Sequence, residues 1–195
     1  MGKLVVTEFI TVDGVIDSPG ELGWVFKFNR GDEGDQFKFD ELMSADAQLL
    51  GRITYQGFAQ AWPSMGTDPF GARMNSMPKF VVSTTLSPAE ATWENSTVIS
   101  HEVGAEVARI KEGTTGDILV AGSGHLARTL AAEDLVDEYR LMVLFVGSTW
   151  SCAASSILIQ RPLRRTPGGA IAQSHNQGVR RYERIATRSW PARSR

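Results

Sequence analysis

Short apolar runs alternate along the chain with segments whose apolar residues recur at helical spacing. The runs are rich in β-branched and aromatic residues, which predicts buried strands. They lie at residues 3–11, 47–50, 79–84, 97–100, 118–121 and 137–145. The periodic segments predict helices at residues 35–45, from 51 through 59, at 101–112 with Ser100 as cap, and from 126 through 131. This alternation predicts an α/β domain with a largely parallel sheet and ligands at the carboxyl ends of its strands.

The apolar run 118–121 leads through a glycine turn into a helix. Gly122 and Gly124 interrupt the run, and Ser123 is a favourable N-cap residue. A strand, a turn and a helix in this order direct free backbone N–H groups and the positive end of a helix dipole at one point, where a phosphate binds well. A plain tight turn explains the same glycines, so both interpretations stay open.

Two further strand ends carry polar side chains. Gly51 leads from a strand into a helix whose first turn contains Arg52 and Thr54. A cation there opposes the helix dipole, which indicates a compensating contact such as a phosphate; an ordinary surface arginine is the alternative. The strand 79–84 ends in two hydroxyl side chains, Ser83 and Thr84.

A fourth strand end carries Asp13, within the turn sequence Val12-Asp13-Gly14. Its carboxylate either faces a cleft or shapes the turn by bonding its own backbone. Segments 17–35 and 62–78 are rich in glycine or proline and are predicted to be loops. Trp24 is one of three alternating aromatic residues in the first loop, where these residues either join the core or line a pocket for a flat ligand.

Composition excludes several classes of protein. The 195 residues predict one domain, 1–195, and 42% hydrophobic with 22% charged residues is ordinary for a globular protein. A net charge of −2 gives no reason to expect a nucleic-acid partner, and no apolar run is long enough for a membrane helix. The first residues enter a strand at once, unlike a signal peptide. The single cysteine, Cys152, fits the cytoplasm, and the three histidines show no metal-ligand spacing.

Several segments, in this order, resemble the dihydrofolate reductase-like superfamily. They resemble most closely the reductase domain of the bacterial riboflavin-biosynthesis deaminase-reductase and its free-standing homologues. The similar segments are 11–14, 49–55, 79–84, 117–130 and 135–139, within a match over about residues 3–143. The resemblance implies a three-layer α/β/α fold with a mixed, mostly parallel central sheet. The zinc signature of the deaminase domain is absent from this sequence.

The resemblance also implies an NADPH-dependent reductase of a pyrimidine- or pterin-like heterocycle, similar to 5-amino-6-(5-phosphoribosylamino)uracil reductase. Asp13 and Trp24 would then lie on the substrate side, and either Asp13 or water would supply a proton. The residues implied to bind NADPH are Gly51, Arg52 and Thr54 at its phosphates, Ser83 and Thr84 near its adenosine end, and Gly122, Ser123, Gly124 and His125 at its pyrophosphate.

The segment 144–195 departs from the family pattern. It holds nine arginines, no lysine and one acid, whereas residues 1–143 hold 11 basic and 21 acidic residues. Such a tail is typical either of divergence or of a coding sequence read out of frame. Edge strands from this region tend to form the dimer contact in the family, so the homodimer that the resemblance implies would depend on this atypical segment.

Two other functions stay open. The sequence Gly122-Ser-Gly-His-Leu-Ala127 fits the Gly-x-Gly-x-x-Ala pattern of a Rossmann-type oxidoreductase, although that pattern normally opens the first strand–helix unit. The second alternative is a non-catalytic homologue that binds a nucleotide or a partner protein.

Overall fold

The computed structural model describes residues 1–11, 13–16 and 30–144, and the backbone of residues 156–162. These ranges contain seven strands and five α-helices, with one short 3₁₀ helix, Trp62–Met65. The strands are β1 (Lys3–Thr11), β2 (Ala45–Gly51), β3 (Lys79–Val82), β4 (Ser96–Ile99), β5 (Asp117–Ala121), β6 (Glu138–Leu144) and β7 (Ser156–Pro162). The helices are α1 (Gly31–Ser44), α2 (Arg52–Ala61), α3 (Pro69–Ser76), α4 (Val103–Gly113) and α5 (Gly124–Ala132).

All seven strands form one sheet, in the order β4-β3-β2-β5-β1-β6-β7. Neighbouring strands are parallel from β4 to β6, and only β7 runs antiparallel to its neighbour. The predicted mixed, mostly parallel sheet is therefore confirmed. β7 comes from the atypical segment 144–195. The rest of that segment after Leu144, residues 145–155 and 163–195, lies outside the described residues, and the homodimer stays a prediction.

Helices cover both faces of the sheet, because the strands β1, β2 and β5 are apolar on both faces. On one face α4 and α5 pack on the sheet through a core that includes Leu4, Leu49, Val107, Ile118 and Leu130. On the other face α1, α2 and α3 pack through Val5, Leu42, Leu50, Tyr55 and Met74. The layers are thus helix, sheet and helix, as predicted, and the carboxyl ends of the central strands stay open at one edge.

The prediction of a loop at residues 62–78 is wrong, because this segment holds the 3₁₀ helix and α3. Asp68 has extended backbone and its carboxylate accepts a hydrogen bond from the N–H of Gly71 at 3.1 Å. Pro69 takes the first helical position, where its missing N–H leaves no bond unmade. An Asp-Pro pair is therefore a helix start here, although the prolines of this segment indicate a loop.

The prediction that Ser100 caps α4 is also wrong. The helix begins at Val103, and its N-cap residue is Glu102, which has a φ of +49° and makes no side-chain capping bond. The Ser100 hydroxyl instead contacts the ring of His101 at 3.0 Å. The chain thus needs a residue in the left-handed conformation to turn from β4 into α4. The sequence does not predict this conformation here, because glutamate rarely adopts it.

Lys79, at the start of β3, is completely buried. Its ammonium donates to the carbonyl oxygens of Asn75, Met77 and Glu94, at 2.6, 2.8 and 2.9 Å. The Nζ atom also lies 4.3 Å from the centre of the Trp93 ring. These contacts join the end of α3 to the loop that precedes β4.

We expect the buried ammonium of Lys79 to make stability depend on pH. Burial lowers its pKa from 10.5 to about 8, so the folded state releases this proton more readily than the unfolded state. The free energy of unfolding should therefore rise between pH 8 and 10.5, by up to about 3 kcal/mol from this group, and the gain should disappear as pH falls through 8. Urea unfolding of wild-type protein and Lys79→Met across this pH range checks the prediction, because the variant should lack this rise. An equal dependence of the two free energies of unfolding on pH would contradict it.

No helix in the described part of the chain is long and apolar enough to cross a membrane.

Candidate functional site

A cleft of about 1300 Å³ opens at the carboxyl ends of β1, β2, β3 and β5. Of the residues predicted to bind a cofactor, all nine line it: Gly51, Arg52, Thr54, Ser83, Thr84, Gly122, Ser123, Gly124 and His125. The topology brings them together because the parallel strands place their ends at one edge of the sheet. Their common location agrees with a shared ligand, but the contacts of individual residues differ from the predicted ones.

The glycine turn, residues 122–124, already holds a carboxylate from within the chain. Glu8 of β1 accepts a hydrogen bond from the N–H of Gly122 at 3.0 Å and another from the N–H of Ser123 at 3.2 Å. Gly122 has a φ of +61°, which favours glycine at this position. These two N–H groups are therefore not free for a phosphate, contrary to the sequence interpretation. The Glu8 carboxylate therefore takes two of the N–H groups that were predicted to face an anion.

Two more predicted ligand-binding groups join the start of α2 to the glycine turn. The Thr54 hydroxyl donates to the carbonyl oxygen of Gly122 at 2.7 Å. The Ser123 hydroxyl accepts from the N–H of Gly51 at 2.9 Å and donates to the carbonyl oxygen of Ala121 at 3.1 Å. Ser123 is the N-cap residue of α5, as predicted, but its side chain makes no capping hydrogen bond. These bonds place the first turns of α2 and α5 side by side.

Cationic and N–H donors remain at these two helix starts. Among the described residues, the Arg52 side chain makes one hydrogen bond, to the side chain of Gln56 at 3.0 Å, and it lines the cleft. In the described residues, the first turn of α5 leaves the N–H groups of Gly124, His125 and Leu126 without an acceptor. A guanidinium beside the N-terminus of a helix can bind an anion that enters from the cleft.

Of the two hydroxyl side chains at the end of β3, only one is open to a ligand. The Ser83 hydroxyl accepts hydrogen bonds from the N–H groups of Thr85 and Leu86, at 3.1 and 2.9 Å, so it shapes the turn after β3. Thr84 is exposed and lines the cleft.

Asp13 does not line the cleft in the described part of the chain. It is exposed, and its carboxylate accepts a hydrogen bond from the Thr11 hydroxyl, which also accepts from the N–H of Val15. Asp13 thus belongs to the turn after β1, where its carboxylate bonds the Thr11 side chain and not, as the sequence alternative proposed, its own backbone. Trp24 lies outside the described residues.

Sequence analysis missed a polar cluster on the opposite wall of the cleft, formed by Thr7 of β1 with Lys38 and Glu41 of α1. Lys38 Nζ donates to the Thr7 hydroxyl and to Glu41 Oε2, the latter at 2.9 Å. Thr7 in turn donates to Glu41 Oε2 at 2.9 Å. The signal for this Thr7–Lys38–Glu41 cluster was available, because its two charged residues interrupt the apolar side of the predicted helix.

Residues 2–151 match the RibD C-terminal domain. The chain belongs to the RibD C-terminal domain family. This match confirms the resemblance to the dihydrofolate reductase-like superfamily. It therefore favours that superfamily over the Rossmann-type alternative. The α/β/α fold class predicted from that resemblance is confirmed as well.

Several proteins are similar to this RibD C-terminal domain. The uncharacterised protein YwjB of Bacillus subtilis is 28% identical over 143 residues, which are 73% of this chain and 76% of YwjB. A crystal structure of a Shewanella sp. PV-4 protein, named for riboflavin biosynthesis, has a TM-score of 0.55 at 20% identity and covers 74% of this chain and 78% of its own. A dihydrofolate reductase from Enterococcus faecalis, complexed with NADP(H) and RAB-propyl, has a TM-score of 0.49 at 20% identity and covers 74% and 72%.

Proposed function

We propose that this RibD C-terminal domain is an NADPH-dependent reductase of a pyrimidine- or pterin-like heterocycle. One observation carries the proposal: the cleft joins an anion-binding wall to an apolar, aromatic wall. Arg52 and the first turn of α5 form the first wall. The second includes Phe58, Trp62 and Phe70. The ring centres of Phe58 and Trp62 lie 6.3 Å apart, and those of Trp62 and Phe70 lie 5.5 Å apart. The anion-binding wall suits the phosphates of a dinucleotide, and the apolar, aromatic wall suits a flat heterocycle.

The residues present fit such a cofactor, although at fewer positions than the sequence predicted. Arg52, Thr84 and the free N–H groups of Gly124 and His125 would hold its phosphate groups. Glu8, Thr54, Ser83 and Ser123 would act indirectly, by fixing the shape of the turns. NADPH, when bound, supplies the hydride for the reduction.

The resemblance left two sources for the proton of the reduction, Asp13 and water, and of these we propose water. Asp13 is exposed outside the cleft, so it does not face a substrate there. Among the described residues, the carboxylates that line the cleft are Glu8, Asp35 and Glu41. Each already accepts a hydrogen bond from within the chain. Glu8 accepts from the glycine turn, Asp35 from Arg30, and Glu41 from Thr7. We therefore assign proton delivery to water in the cleft.

The test is a titration with NADPH and, separately, with NADH, followed by energy transfer from tryptophan to the nicotinamide. Trp62 lines the cleft and serves as a donor. We expect wild-type protein to bind NADPH more tightly than NADH, and Arg52→Ala to weaken NADPH binding by at least about tenfold, because a charge-assisted bond to phosphate is lost. Stability should change little, since the one side-chain hydrogen bond of Arg52 within the described residues goes to Gln56, which is exposed.

Arg128→Ala is the matched control. This arginine is exposed on α5 and does not line the cleft, so its removal changes the net charge equally. Equal NADPH affinities for the Arg52 and Arg128 variants would refute the role of Arg52. Tight binding without turnover of pyrimidines or pterins would favour the alternative, a non-catalytic nucleotide-binding homologue.

A further inference from the structure

The Thr7–Lys38–Glu41 cluster is buried but lines the cleft. The Glu41 side chain is 3% exposed and that of Lys38 is 13% exposed. All three residues lie on the wall that α1 and β1 form, on the opposite face of the sheet from α5. A polar cluster at such a depth needs every one of its hydrogen-bonding groups satisfied, since an unpaired buried group is costly.

One donor of the cluster has no acceptor in the described part of the chain. The ammonium of Lys38 has three N–H bonds, and Thr7 and Glu41 accept two of them. Near the ammonium lie the rings of Phe9 and Phe37, with centres 5.0 and 5.8 Å from Nζ. The Glu41 carboxylate, in contrast, has partners on both oxygens, because Oε1 faces Arg140 Nη1 at 3.5 Å.

Within the part of the chain that the structure describes, the charges around the cluster balance. Arg140 contacts Asp117 and Glu138 as well as Glu41, at 2.7 and 2.8 Å, and Lys3 lies 3.7 Å from Glu138. Together these residues form a network of three acids and three bases: Glu41, Asp117, Glu138, Lys3, Lys38 and Arg140. A balanced network offers a directed donor without an excess positive charge, which favours an uncharged acceptor over an anion.

We propose that Lys38 is the donor of a substrate subsite that binds a carbonyl oxygen of an uncharged heterocycle. Lys38 is the binding residue, and Thr7 and Glu41 are positioning residues that hold its Nζ with one N–H left over. This inference rests on the proposed function, since it places the heterocycle on the α1 wall and leaves the phosphates at α2 and α5.

The experiment measures binding of lumazine, the neutral pteridine-2,4-dione, by calorimetry, with and without saturating NADP⁺. The deciding variant is Lys38→Gln. A glutamine amide has two N–H bonds, which Thr7 and Glu41 can take, so the internal contacts persist and no donor is left for the ligand. Lumazine affinity should fall by at least about tenfold, the effect of one charge-assisted hydrogen bond, while NADPH affinity stays within about twofold.

Two further variants make the result specific. Lys3→Gln is the matched control, because Lys3 belongs to the same charge network but is 61% exposed and does not line the cleft; its lumazine affinity should equal that of wild-type protein. Lys38→Arg keeps a cation with donors to spare, so it should restore lumazine binding to within about threefold of wild type.

Lys38→Gln with wild-type lumazine affinity would overturn the proposal, and so would wild-type protein that binds NADPH but not lumazine. If Lys38→Gln does not melt cooperatively, Lys38→Arg decides: loss of lumazine binding in that variant, with NADPH binding intact, would overturn it. Lumazine binding that depends on Lys38 in a protein without NADPH affinity would refute the proposed function and leave the subsite in place.

Discussion

Replacing Arg140 with methionine should lower the free energy of unfolding by about 3–5 kcal/mol. The guanidinium is 12% exposed and contacts three carboxylates, of which Glu41 and Glu138 are almost completely buried. Burial alone would lower the pKa of Arg140, but the hydrogen bonds and charges of Glu138 and Asp117 raise it overall, so the side chain stays charged while the protein is folded. Methionine fills a similar volume but removes one of the three bases that balance Glu41, Asp117 and Glu138, which is the costly half of breaking a buried ion pair.

Urea unfolding at neutral pH measures this loss. Arg128→Met is the control, because the same substitution at an exposed position of α5 should change stability by no more than about 0.5 kcal/mol. A loss of less than about 1 kcal/mol in Arg140→Met would mean that water reaches the three carboxylates and that the network is not effectively buried.

The second large effect is expected at Glu8. Glu8→Ala removes the acceptor of two N–H groups, and we expect it to destabilise the fold by about 2–4 kcal/mol. Glu8→Gln keeps one acceptor oxygen but brings an NH₂ group towards the other N–H, so it should lose about half as much. Thermal and urea unfolding of both variants check the order wild type, Gln, Ala.

Inorganic phosphate distinguishes the role of Glu8 from simple packing. If its carboxylate stands where an anion would otherwise bind, Glu8→Ala exposes the N–H groups of Gly122 and Ser123 to phosphate. Phosphate should then raise the melting temperature of Glu8→Ala more than that of wild-type protein, with an equal concentration of sodium chloride as the ionic control. An identical response of both proteins would contradict the occupied-site interpretation.

Local patterns were sufficient to predict most elements, but not the partners of individual side chains. The unit of β5, glycine turn and α5 was predictable because a buried run, two glycines and a periodic stripe occur in sequence. Helix α3 was missed because its start, Asp68-Pro69, also fits a turn. The role of Glu8 could not be read from the sequence, because its partners are 114 and 115 residues away and a lone acid in a strand usually marks a solvent-facing position.

The candidate site shows the same limit. Parallel strand order allowed us to predict that Gly51, Ser83 and Gly122 share one edge. Which hydroxyl serves the turn and which faces a ligand depends on angles that the pattern does not contain, so Ser83 and Thr84 could not be distinguished. In the Thr7–Lys38–Glu41 cluster, the sequence signals the two charged residues on the apolar side of the helix. That Thr7 is their partner depends on the packing of α1 on β1, which no local signal specifies.

The position of β1 in the sheet has a consequence for synthesis of the chain on the ribosome. β1 is made first, yet both of its neighbours come late: Lys3 pairs with Asp117 of β5, and Val5 pairs with Glu138 of β6. The backbone N–H and C=O groups of this apolar strand therefore stay without a sheet partner until β5 has emerged. Such late pairing slows folding and exposes a strand edge to aggregation. The cleft, which needs β1 and β5 together, is accordingly among the last features of the molecule to form.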